Sequence, residues 1–455
     1  MTSKIVVNNI ESDSGINTVT IIGDVSVGSS ITATDITATH HGSGADLTNL
    51  PAANLTGTLP AIDGSNLTGV GASFGNSSVN TSGIITATAF IPSQGQLSHR
   101  NIIVNGAMNV AQRGTSSTIH GYGSVDRFAV YNNGTDEAPT HSQVDVASGT
   151  TPYTLGFRKA LKITNGNQTS GAGAGDHTMI QTKQESQDIA QSGWNYTSAS
   201  SYVTLSFWVK SSVAQNFYGY FRTKDGTEQI YTFETGSLSA DTWTKITKTI
   251  PGNSNLQFDN DANQGTEINI SPFMGTNFTD SGVSLNAWAA YASGTRTPDY
   301  TSTWYTTNDA TFEITGVQLE VGSQATPFEH RSFNEELLLC KRYFNMIGDG
   351  SLGNHALSDG FFWNSGGTEV DFMYTFPVQM RTAPSIYQVT GSNYFKVQGG
   401  GLNNSTYIDG SWSQQYGCKI STSQYSASDT AGTQGRSFHI TINNSATRYG
   451  YSAEL

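Results

Sequence analysis

Two pairs of adjacent carboxylates, Asp136-Glu137 and Glu335-Glu336, are the first residues of this 455-residue chain to consider for covalent chemistry. Cleavage of a polysaccharide needs two carboxyl groups flanking the scissile bond, one as acid and one as nucleophile or base. With 35 acidic residues, adjacent pairs arise by chance, and the second pair opens a predicted helix, where its charge is already explained. No Gly-x-Ser-x-Gly elbow, phosphate loop or Cys/His metal spacing occurs. Gly171-Ala172-Gly173-Ala174-Gly175-Asp176 is rich in glycine but follows no hydrophobic strand, so it reads as a loop. The adjacent His40-His41 could stack around a threefold axis and hold a metal, but one pair without partners is more simply a solvated or stacked pair. The two cysteines, Cys340 and Cys418, are too few for a disulfide scaffold and read as free thiols. The expectation is no catalytic residue, no metal and no cofactor.

Aromatic residues in polar loops carry more signal. Sugars present apolar C–H faces beside hydroxyls, and flat rings among amides and carboxylates suit them. Trp288, Tyr291, Tyr300, Trp304 and Tyr305 lie within one such stretch with Arg296 and Asp299. Trp363, Tyr407, Trp412 and Tyr416 form a second set. The alternative for Trp288 and Trp304 is that they plug the ends of a sandwich. Trp208 and Trp243 lie on regular strands and read as core or interface.

The elements that must position these residues follow from composition and period. Only 13% of residues are charged, and 49 are glycine against 11 proline, which suits short strands and tight turns better than surface helices. A net charge of −13 argues against a nucleic-acid partner and offers nothing to an anionic membrane. No stretch approaches the roughly 18 apolar residues of a membrane span, and Met1-Thr2-Ser3-Lys4 opens no apolar signal core. Val203, Leu205, Phe207 and Val209 alternate with polar partners through Tyr202–Lys210, a strand with one buried face. Residues 243–250, closed by Pro251-Gly252, and 312–321 alternate in the same way. Ser332-Phe333-Asn334-Glu335 is a capping box; the helix it opens is predicted to run to about Asn345, apolar enough to be buried against the sandwich or against symmetry mates. Residues 371–377 and 384–389 read as strands of a second β module.

The first hundred residues contain only two aromatics, Phe74 and Phe90, and cannot bury enough surface to fold alone. They carry weak repeats. Gly44-Ala45-Asp46-Leu47-Thr48-Asn49-Leu50 matches Gly64-Ser65-Asn66-Leu67-Thr68-Gly69-Val70, and Ile31-Thr32-Ala33-Thr34 matches Ile85-Thr86-Ala87-Thr88. Regularly spaced aliphatic residues in a chain that cannot close its own core predict a shaft of three chains about one axis; the alternative is a flexible Ser/Thr/Gly linker, which has no reason to space its leucines.

Three stretches bring a family into view. Asn101-Ile102-Ile103-Val104-Asn105-Gly106-Ala107-Met108, the strand with Phe207-Trp208-Val209-Lys210, and Gly316-Val317-Gln318-Leu319-Glu320-Val321-Gly322 with Ala325-Thr326-Pro327-Phe328-Glu329-His330-Arg331 resemble a module of marine bacteriophage tail fibres, cyanophage fibres being the nearest type. Phe376-Pro377-Val378-Gln379-Met380-Arg381-Thr382-Ala383-Pro384 and the closing Ser452-Ala453-Glu454-Leu455 resemble their distal module. The resemblance implies a homotrimer with β-sandwich heads like carbohydrate-binding modules, assembled in a host cytoplasm into a virion and used for attachment. The expected architecture is all-β: an attachment segment at 1–30 that docks on tail or baseplate proteins, a shaft at 31–98, a jelly-roll sandwich at 99–331, a helix and hinge at 332–349, and a distal β head at 350–455. The expected partner is a host surface glycan or lipopolysaccharide, with no nucleic acid and no membrane insertion. Two rivals remain: a structural fibre of capsid, neck or baseplate that binds nothing, and a polysaccharide depolymerase.

Overall fold

The computed structural model describes residues 6–7, 26, 98–349, 356–362, 370–389, 391, 394–398, 402–405, 409–422, 437–442 and 444–455. The shaft repeats, His40-His41, Trp363, Tyr407 and the side chain of Trp412 lie outside them. Everything below concerns the unit Ala87–Leu455.

Its first part is a sandwich of two antiparallel six-stranded sheets. In chain order the strands are β1 (Ser116–Ser117), β2 (Ala129–Asn133), β3 (Thr140–Asp145), β4 (Lys159–Thr164), β5 (His177–Glu185), β6 (Tyr202–Ser211), β7 (Asn216–Thr223), β8 (Gln229–Ser237), β9 (Thr244–Pro251), β10 (Gln264–Met274), β11 (Trp288–Ala290) and β12 (Thr311–Val321). One sheet runs β1-β3-β4-β12-β6-β9, the other β11-β8-β7-β10-β5-β2. The apolar half of the predicted alternation in β6 is realised, with Val203, Leu205, Phe207 and Val209 fully buried in the core, but Thr204 and Ser206 of the opposite face are buried as well, so the strand does not present one buried and one exposed face. The apolar side chains meet Phe217, Phe221, Phe233, Ile268 and Ile270 of the opposite sheet, so the core is the interleaving of two apolar faces.

The stretches that resemble the fibre module meet in one structural unit. Pairing of β12 with β6 slips between Thr315 and Gln318, a bulge centred on Gly316, whose φ is +65°. A Cβ there would lie 2.6 Å from the Phe157 ring. Segment 101–108 docks on this bulge: Ile102 N–H donates to Leu319 O (2.9 Å), Val317 N–H to Gly106 O (2.9 Å), and the Asn101 amide to Val317 O (3.1 Å). These residues close the sandwich.

Ser332 caps the next helix, α1 (Phe333–Lys341), its hydroxyl accepting from Glu335 N–H at 3.3 Å. Expected burial holds for one side only. Cys340 and Glu336 are buried; desolvation pushes the Cys340 thiol far up, and Glu336 accepts from Asn105 N–H beside Arg331. Phe333, Leu338 and Leu339 face solvent in the single chain, 56%, 46% and 36% exposed, because the helix lies at the margin of the sandwich with only one flank against it. The helix is also shorter than expected. Residues 344–348, expected as the end of the helix and, from Met346, the start of a hinge, pair as a strand with Arg448–Ser452.

The distal part has two sheets. A three-stranded sheet places Arg448–Ser452 between Phe344–Gly348 and Ser385–Val389. A seven-stranded sheet includes Ala356–Phe362, Val370–Thr375, Gly417–Thr422 and Ser437–Ile442. Its end returns to the sandwich. Glu454 pairs with Arg113 and Arg127, Lys183 Nζ donates to Leu455 O (2.8 Å), Arg381 Nη1 donates to Ala262 O (3.0 Å), and Arg342 forks onto Glu185 (2.6 and 2.7 Å). Breaking one partner of such buried pairs strands a charge, so the contacts fix the two parts of this unit against each other.

Candidate functional site

The aromatic stretch 288–305 does not form one site. Trp304 and Tyr305 are completely buried, a correction to their reading as ligand contacts. A one-turn helix at Thr303–Thr306 drives both rings into the core, Trp304 Nε1 donates to Thr311 O (3.1 Å), and Tyr305 stacks on Phe273 at 4.4 Å. They plug the sandwich end. Tyr291 lies on the outer face under the Arg222 guanidinium, 3.4 Å from its ring centroid, and that guanidinium is engaged by Glu228 and Glu267. Tyr300 packs edge-on against Tyr218 and Phe273 and donates its hydroxyl to Tyr218 O (3.1 Å); it borders a small recess of about 180 Å³.

Trp288 is different. It begins β11, the edge strand, which pairs with β8 through Trp288–Tyr231, Ala289–Ile230 and Ala290–Gln229. The ring packs edge-to-face on Tyr231 (5.4 Å) and Phe221 (5.9 Å), and Nε1 donates to Pro251 O at 2.6 Å. One part of the indole is thus anchored while the other lines an open groove of about 470 Å³. The remaining lining is Thr227, Gln229, Asn253, Asn255, Gln257, Ala289 and Ala290. That volume lies within the roughly 300–1,000 Å³ usual for small-ligand sites.

Local sequence explains each wall. The β7–β8 turn bends through Gly226, whose φ is +59°, and a Cβ there would come within 2.8 Å of Gln257 Oε1. Across the groove, Leu256 and Phe258 are buried, so Asn255 and Gln257 between and beside them must face outward. Phe258 is held edge-on by Tyr196 at 4.8 Å, and Asp225 ties the segment down by accepting from Asp259 N–H (3.2 Å). Gln257 Nε2 donates to Asp259 Oδ1 (2.8 Å), which fixes its amide at the rim. The Asn253 carboxamide oxygen accepts from Asn255 N–H (2.8 Å), while the Asn255 carboxamide itself faces solvent. An exposed indole surface flanked by amides and a hydroxyl can stack on a C–H face and bond both donors and acceptors.

The sequence pattern singled out Trp288 but not the amides beside it. Pro251-Gly252 was read only as the end of a strand, although the polar-apolar alternation of Asn253-Ser254-Asn255-Leu256-Gln257-Phe258 was the available signal. In the distal part Tyr416 is 66% exposed, on the turn before Gly417–Thr422, and its carbonyl accepts from Phe376 N–H (3.0 Å).

The carboxylate pairs are engaged elsewhere. Asp136 accepts from Ser170 N–H (2.7 Å) and hydroxyl, and these bonds hold its carboxyl below the usual range; Glu137 accepts from Asn167 N–H (2.8 Å). Both tie down the glycine-rich loop. A larger cavity, about 530 Å³, lies near Arg100, Asp188, Arg331 and Arg342, but Arg331 and Arg342 are taken up by Ile103 O, Asn101 O and Glu185, which makes it a packing junction.

No family model and no curated protein matches the chain. Solved structures with some likeness include the enzymatically active domain of bacteriophage CBA120 tailspike protein 4, at 11% identity and a TM-score of 0.26 over 49% of this chain and 21% of that one. A family 4 carbohydrate-binding module is similar at 11% identity and 0.24 over 48% of this chain and 98% of its own. A family 22 xylan-binding domain is similar at 9% and 0.24 over 52% and 100%. The likeness thus spans about a fifth of that tailspike chain, and similarities this weak carry no argument.

Proposed function

We propose that this chain is a structural virion protein, a tail fibre of a bacterial virus, whose sandwich adheres to glycan on the host surface. The observation that carries the reading is the Trp288 groove: a half-buried indole at a sheet edge, facing amides and a hydroxyl in an open recess of about 470 Å³. The sequence resemblance to marine phage fibres supplies the virion context. A single groove of this kind binds weakly, and a homotrimer with several fibres per particle turns weak binding into avidity. Two features support self-association: residues 31–98 lack the bulk to fold alone, and α1 leaves Phe333, Leu338 and Leu339 in solvent where a second copy of the helix would cover them.

Glycan-array binding of the full chain, with Trp288→Ala beside it, tests adhesion; failure of the wild type to retain any glycan or host envelope removes the reading. Sedimentation tests assembly. A stable monomer, or a trimer unaffected by Leu338→Glu with Leu339→Glu, counts against the helix as an interface. One observation favours a fibre that recognises nothing: the stretches that resemble the fibre module close the sandwich and clamp its distal part, and none of them lines the groove. The depolymerase reading is tested by release of reducing sugar from host capsule.

A further inference from the structure

The groove's chemistry narrows the class of glycan, an inference that rests on the adhesion reading above. We propose that the Trp288 groove takes an uncharged polysaccharide chain and rejects acidic capsules and phosphorylated lipopolysaccharide cores. No Lys, Arg, His, Asp or Glu lines it. The side-chain polar groups it presents are carboxamides and one hydroxyl, each able to give and to accept a hydrogen bond. Sugar hydroxyls likewise do both, whereas a carboxylate or phosphate only accepts and is held best by cationic or convergent N–H donors.

The surroundings sharpen this selection. The cations of the β7–β8 hairpin are matched: Lys224 Nζ lies 2.5 Å from Glu228, and Arg222 pairs with Glu228 and Glu267. At the other wall the charge beside Gln257 is negative, the carboxylate of Asp259. With a net charge of −13 over the whole chain, an approaching polyanion meets repulsion and no free cation at the groove. The indole N–H is already used by Pro251 O, so Trp288 contributes a ring surface for stacking and no donor to an anion. Ala289 and Ala290 keep the floor beside the ring shallow, so a pyranose face can reach the indole.

The test uses the full-length chain in affinity electrophoresis and calorimetry. The neutral probes are mannan, dextran, xyloglucan and galactan; the acidic probes are alginate and polygalacturonate, each at low and high salt. Retardation by at least one neutral polymer is expected, insensitive to salt and weakened roughly tenfold or more by Trp288→Ala. Asn255→Ala, at an exposed position that leaves the fold untouched, weakens it about threefold to tenfold. Circular dichroism of both variants separates lost binding from lost folding. Tight binding of alginate or polygalacturonate that falls with salt overturns the inference while sparing adhesion. Neutral binding unchanged in both variants overturns the groove as its location. Absence of binding to every polymer, and to intact host envelope, removes the adhesion reading as well.

Discussion

Trp288 and Trp304 stand sixteen positions apart in one polar, aromatic-rich stretch, and the fold gives them opposite tasks. Trp304 rides a single helical turn into the end of the sandwich, where its indole N–H meets Thr311 O and no part of it reaches water. Trp288 sits on the outermost strand of a sheet. Edge strands have a partner on one side only, so the ring is anchored by Pro251 O yet keeps a surface free. Ring type and neighbouring composition are the same; what differs is whether a second layer covers the residue. An aromatic in a polar loop is therefore ambiguous until the layer above it is known.

The largest expected contrast is in stability. Trp304→Ala should lower the unfolding free energy by about 3–5 kcal/mol through an unfilled core cavity, read by urea denaturation. Trp288→Ala should cost less, about 1–2 kcal/mol, for a half-buried ring and one hydrogen bond. Equal losses would break the comparison. Next comes Asn165, whose buried amide donates to Tyr305 O (2.6 Å) and Thr307 O (3.1 Å) and so holds the Trp304 turn in place. Asn165→Ala should destabilise by about 1–3 kcal/mol without changing glycan retention by the folded fraction.

Acidity offers a finer separation. Asp126 is completely buried; desolvation raises its pKa to about 6 despite Arg113 at 3.9 Å and the N–H of Gln112 at 3.0 Å. A carboxyl raised from 3.8 favours the fold most when protonated. Its contribution is therefore full below about pH 4 and lost as pH climbs through 6. Asp126→Asn should flatten that segment of the stability profile, measured as the difference between variant and wild-type unfolding curves. Glycan retention should stay level between about pH 5 and 8, since no titrating side chain lines the groove. The smallest effect is Asn255→Ala: a severalfold loss of retention with no change in unfolding free energy beyond about 0.5 kcal/mol.

Much of the fold was legible beforehand because apolar residues recur at every second position of its strands, although the polar residues between them, such as Thr204, Thr315 and Gln318, are buried as well. Residues 203–209 and 312–319 announced the sandwich core, and Ser332 with Glu335 announced a helix start. The helix end was misread: Tyr343 and Phe344 looked like a continuing apolar stripe, but Phe344–Gly348 pairs with Arg448–Ser452, a partner about a hundred residues away that local pattern cannot reveal. The role of Glu454 was hidden for the same reason, its partners Arg113 and Arg127 lying in another part of the chain.

By itself the sequence determined an all-β chain, poor in charge, with alternating strands, a capped helix and an N-terminal region without the bulk for its own core. These are properties of neighbouring residues, set by backbone preference and by the period of apolar side chains. The tertiary structure alone decided which aromatic is covered, which amides line a groove and where the charged end of the chain docks. Each of those depends on what a second layer or a distant strand brings within a few ångströms, and burial and hydrogen bonding act only at that range.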